Sequence, residues 1–121
     1  MAIRKINLCG HKNEALDALG FETYGPLHVD LGDPDLFDKL VEKVLKDMIG
    51  IESGDKVILA PPKLTMLSIL LLAAINGLTG NWPDIVGLVN TEEGFVPGQI
   101  WKLQELRNKV GRQGREDLVR L

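Results

Sequence analysis

The segment Lys56-Val-Ile-Leu-Ala-Pro-Pro-Lys-Leu-Thr65, followed by the apolar run Met66 to Ile75 and by Gly77-Leu-Thr-Gly-Asn-Trp-Pro83, admits few conformations. Lys56 to Ala60 is a short aliphatic run of the kind a buried strand needs. Pro61 and Pro62 carry no N–H and end its ladder. Thr65 is then expected to cap a helix running to about Asn76. Met66 to Ile75 leaves that helix almost no polar face, so it needs cover on more than one side. A sheet covers one side, and a second copy of the chain is the expected cover for the other. The chain order sets the carboxyl end of a strand beside the amino end of a helix. Unpaired N–H groups and the helix dipole favour an anion there.

The flanking sequence repeats the alternation of strand and helix. Ile3 to Cys9 alternates apolar and polar residues and stops at Gly10, which predicts a first strand. Asn13 to Leu19 predicts a short helix with Asn13 as cap and Ala15, Leu16 and Leu19 on one face. Leu27 to Leu31 predicts a second strand. Asp33-Pro34 predicts a helix start, after which Leu36, Phe37, Leu40, Val41, Val44, Leu45 and Met48 form an apolar stripe closed by Gly50. Asp84 to Val89 predicts a fourth strand and Asn90 to Pro97 a turn or hairpin. Ile100, Leu103, Leu106 and Val110 predict a helix from Gln99, with 112–121 as a flexible tail. The expected fold is α/β, a single three-layer domain over 1–121 with a mainly parallel sheet.

Composition excludes several classes. Hydrophobic residues make up 45% and charged residues 26%, ordinary for a packed globular chain. A net charge of −3 offers no field for long nucleic acid. The longest apolar run is too short for a bilayer, so no membrane partner is expected. The single cysteine, Cys9, cannot form an internal disulfide and suits a cytoplasmic setting. No dinucleotide fingerprint, phosphate loop, zinc motif or serine-hydrolase elbow occurs, and no cofactor or metal is expected.

Candidate ligand contacts sit where strands end. Gly10 lets the backbone approach a ligand while His11 and Lys12 supply donors; the same residues also read as a plain helix start. Pro62, Lys63, Leu64 and Thr65 follow the third strand, and Lys63 suits a phosphate. Asn90 ends the fourth strand. Gln104 and Arg107 lie three apart on one helical face, and Arg107 matches a phosphate as well as it matches a surface ion pair.

The joint order of several short motifs resembles the Csx-fifteen family of CRISPR-associated accessory proteins. These are Asn7-Leu8-Cys9-Gly10-His11, Pro61-Pro62-Lys63-Leu64, Leu71-Leu72-Ala73, Gly77 with Gly80-Asn81-Trp82-Pro83, and Ile100, Leu103, Gln104, Leu106, Arg107. Cys9, Lys63 and a short connection between Val89 and Ile100 depart from the family pattern. The resemblance implies a Rossmann-like, CARF-like domain that binds a cyclic oligoadenylate, first of all cyclic tetra-adenylate, in a homodimer cleft. A higher, ligand-bridged oligomer is compatible with it. Sequestration of the ring is the first expectation. Metal-independent ring cleavage, with His11 as the catalytic residue, is the second. A structural α/β subunit that binds no nucleotide is the third.

Overall fold

The computed structural model describes residues 2–120, with side chains from 2 to 114. Its order is β1 (Ile3–Asn7), α1 (Glu14–Ala18), β2 (Glu22–Thr23), α2 (Leu36–Lys39) running on as a π-helical segment (Leu40–Ile49), β3 (Lys56–Ala60), α3 (Thr65–Thr79), β4 (Asp84–Thr91), β5 (Gly94–Lys102) and α4 (Leu103–Arg120). The five strands form one sheet in the order β2-β1-β3-β4-β5. All neighbours are parallel except β4 and β5. The chain is therefore α/β with a mixed, mostly parallel sheet, as the strand–helix alternation predicts.

Period-two alternation along β3 splits the core. Val57 and Leu59 join Ile6, Leu8, Leu40, Leu45, Leu67 and Leu71 in one buried cluster. Ile58 and Ala60 face the opposite way, toward Leu16, Phe21 and Val86. Leu16, Leu45, Leu59 and Leu71 have no exposed surface. Each such leucine contributes roughly 1.5–3 kcal/mol relative to staying in water.

Four expectations need correction. The second strand is Glu22–Thr23, paired with Ile6 and Asn7, and not Leu27 to Leu31. Leu27 and Val29 do pack on the core, so their alternation reports burial without a ladder. The helix after Asp33 has its apolar face rotated: wide turns over Leu40–Ile49 bury Leu40, Leu45 and Ile49. A π-helix bonds five residues apart, so this spacing aligns, while Phe37 and Met48 turn outward. Thr65 is the first helical residue of α3, not its cap; Leu64 holds that position and has no side chain able to bond the helix. Residues 99–102 belong to β5, since Ile100 and Trp101 pair with Val86 and Ile85. Ladder bonds along β4 override the helical spacing there, and the helix starts at Leu103.

Other boundaries agree with the sequence reading. Asn13 caps α1 through its side chain, which accepts from the Leu16 N–H at 3.0 Å. β3 spans Lys56 to Ala60 as expected, and α3 extends three residues past the expected end to Thr79. The β4–β5 hairpin turns at Glu92 and Glu93, held by the Thr91 hydroxyl. Gly98 lies where the ladder bulges between Val86 and Leu88. A Cβ there would stand 2.8 Å from Val89 Cγ2, so the bulge closes only around glycine. Residues 112–120, expected as a flexible tail, continue the backbone of α4; Leu121 lies outside the described residues. Among the described residues no helix is long and apolar enough to cross a membrane.

Candidate functional site

β1 lies between β2 and β3, so the chain leaves β1 toward one edge and later returns to its other side. The helix after β1 packs on one face of the sheet, through Leu16, and the helix after β3 packs on the other, through Leu67 and Leu71. The carboxyl ends of β1 and β3 thus splay their loops apart. Open α/β sheets hold ligands in such a crevice.

A cleft of about 410 Å³ opens there. One side is polar: His11, Lys12 and Asn13 from the loop after β1, and Lys63 from the loop after β3. The other is apolar, made by Cys9, Ala60, Pro61, Val86, Leu88 and Phe95, with Gly87 also in the lining. The size falls in the range of small-molecule sites, and so does the combination of an apolar wall with a few convergent polar groups.

Asn7 builds the polar side. It is fully buried at the end of β1. Its Oδ1 accepts from the Cys9 N–H at 3.0 Å, and its Nδ2 donates to the His11 carbonyl at 3.0 Å and to Thr23 Oγ1 at 3.1 Å. These bonds fold the chain back on itself, a turn that Gly10 permits with φ of +93°. The Cys9 thiol donates to the same His11 carbonyl at 3.3 Å, so its hydrogen is engaged.

The side chains beyond the turn are exposed, and two of them, Lys12 and Lys63, are cationic. Lys63 Nζ lies 3.4 Å from His11 Nε2, joining the two loops across the cleft mouth. Lys12 Nζ sits 3.9 Å from Asp17 Oδ2 with most of its side chain in water, and such a pair holds weakly. The Ser68 hydroxyl donates to the Pro62 carbonyl at 2.8 Å, which ties the proline loop to the first turn of α3. Asn13 Nδ2 donates to the Phe95 carbonyl at 3.0 Å and ties the β4–β5 hairpin to the loop after β1.

The sequence candidates divide. His11, Lys12 and Lys63 come together on the cleft. Gly10 shapes the turn behind them. Pro62 and Leu64 continue the same loop and Thr65 opens α3, and none of the three lines the cleft. Asn90 pairs with Phe95 in the hairpin, one position removed from the lining. Gln104 and Arg107 lie elsewhere. Gln104 accepts from the Trp82 N–H at 3.1 Å, beside a second cleft of about 310 Å³ at the amino ends of β3 and β4. Arg107 donates to Asn108 on its own helix. Within one chain, these two residues cannot serve the crevice at the opposite sheet end.

Sequence reasoning missed the apolar wall and the organising role of Asn7. Alternation along β4 does place Val86 and Leu88 on one face. Adding Phe95 requires the hairpin register, which the sequence leaves open.

No group of three or more histidine, cysteine or acidic residues among the described residues is placed to hold a metal ion. Comparison with known protein families, curated proteins and solved structures finds no match for this chain.

Proposed function

We propose that two copies of this chain bind one cyclic oligoadenylate, cyclic tetra-adenylate in the first instance, and sequester it from type III CRISPR signalling. In this reading the domain is Rossmann-like and CARF-like, and the protein is a binding module. The observation that carries it is the crevice between β1 and β3, where His11, Lys12 and Lys63 border an apolar wall. Phosphates suit the two lysines and the nearby amino end of α3, which Leu64 leaves without a side-chain cap. Bases suit the wall. A ring with twofold symmetry fits a twofold pair of such crevices, each taking half of it. Met66 at 54% and Ile69 at 53% exposure give α3 an apolar surface suited to a second copy. The order of motifs shared with the Csx-fifteen family agrees with this reading.

A second reading, ring cleavage, has one observation in its favour: the 3.4 Å approach of His11 Nε2 to Lys63 Nζ. Here a ribose 2′-hydroxyl attacks the adjacent phosphorus and the 5′-oxygen leaves, giving a 2′,3′-cyclic phosphate and a 5′-hydroxyl. His11 would move the proton and Lys63 would stabilise the phosphorane-like charge.

Purified protein mixed with labelled cyclic tri-, tetra- and hexa-adenylate, resolved on a native gel and by chromatography of the nucleotide, tests both. A shifted band with the ring intact supports sequestration. Conversion to linear product, abolished by His11→Ala with binding retained, supports cleavage. No shift with any ring overturns the proposal.

A further inference from the structure

Phe95 is 55% exposed although its backbone sits within the β4–β5 ladder. Its carbonyl accepts from Asn13 Nδ2 at 3.0 Å, so the hairpin holds this residue against the loop that carries His11 and Lys12. Beside it the cleft lining is apolar, with Pro61 and Leu88 partly exposed and Ala60 and Val86 buried. An exposed aromatic residue that shares a cleft with two lysines is poorly explained by core packing. It is well explained by a flat, apolar partner whose other end is anionic.

We infer that this half of the cleft is a base subsite: a nucleobase enters against Pro61 and Leu88 and stacks on Phe95, while its phosphate reaches Lys63 and His11. Every base has a π-face, and stacking on an aromatic side chain contributes roughly 1–3 kcal/mol per base. The larger face of a purine gains more than that of a pyrimidine. The inference rests on the nucleotide reading above and assigns the part of the site that selects the base.

The test is an NMR titration of the intact chain with adenosine 5′-monophosphate, ribose 5-phosphate and cyclic tetra-adenylate, repeated on Phe95→Ala and Phe95→Trp. The exposed position keeps either substitution compatible with the fold, and a thermal melt of each variant checks this. The expected result is that the monophosphate and the ring shift the Phe95 resonances and that Phe95→Ala weakens both by about tenfold. Phe95→Trp retains affinity, and ribose 5-phosphate leaves the Phe95 ring unshifted. Cyclic tetra-adenylate bound equally by wild type and Phe95→Ala would overturn the base subsite and leave the nucleotide reading standing. Phe95-dependent binding of the monophosphate without any binding of the ring would keep the subsite and remove the cyclic oligoadenylate reading. Absence of binding by all three probes would remove both.

Discussion

Replacing Asn7 by leucine keeps the branched outline of a fully buried side chain, at a somewhat larger volume, and removes its polarity. The N–H of Cys9, a buried residue, then has no acceptor, because Oδ1 of Asn7 supplies its bond at 3.0 Å. Leaving a buried donor unpaired costs about 1–3 kcal/mol. The two groups that lose the Nδ2 donor, the His11 carbonyl and Thr23 Oγ1, belong to exposed residues and recover water, so they add little. The expected loss is about 2 kcal/mol, or a fall of roughly 8 °C in Tm for a domain of this size. Guanidinium unfolding monitored by far-ultraviolet circular dichroism reads it, with the m-value unchanged. Thr23→Val, which removes only the exposed partner, is expected to stay within about 0.5 kcal/mol of wild type. Loss of under about 0.5 kcal/mol in Asn7→Leu would refute the claim that Asn7 holds the turn into the cleft.

Gly98→Val drives a side chain into Val89 Cγ2, 2.8 Å from the nearest Cβ position, and is expected to destabilise by about 1–3 kcal/mol in the same unfolding assay. Asp55 accepts from the backbone N–H groups of Glu52 and Ala2, and the first of these bonds chiefly holds its carboxyl below the usual carboxylate value. Its stabilisation is therefore complete above the unfolded pKa of about 3.9 and is lost as pH falls through the lower folded value. Asp55→Asn should flatten the acid limb of a Tm-against-pH curve, and an unchanged limb would contradict the assignment. Lys63→Met should weaken cyclic tetra-adenylate by about tenfold and make binding less sensitive to salt, read by calorimetry at two ionic strengths. An unaltered salt dependence would place the phosphates elsewhere.

The core strands and the two loops that follow them were legible because local pattern and tertiary demand agree there. β3 needs an aliphatic run, the prolines end it, and the apolar residues after Thr65 have only a helix to form. Disagreement arose where a neighbouring element decided. Glu22 and Thr23 look like loop residues until β1 offers them a ladder, and Leu27 to Leu31 look like a strand although Pro26 interrupts the preceding N–H series. Ile100 carries helical spacing, yet the free edge of β4 claims it for β5. The site divides for the same reason. His11, Lys12 and Lys63 follow their strands directly, so their place at the strand ends is readable. Gln104 and Arg107 follow β5, whose antiparallel run carries them to the other end of the sheet. Phe95 becomes part of the cleft only through the hairpin, a long-range pairing that no local window contains.

Calorimetric titration of the wild-type chain with cyclic tetra-adenylate, paired with native mass spectrometry of the product, tests the central claim most directly. The account predicts saturation at one intact ring per two chains. Saturation at one ring per chain would contradict the paired crevice, and no heat with this ring or with its tri- and hexa-adenylate relatives would contradict the functional reading itself.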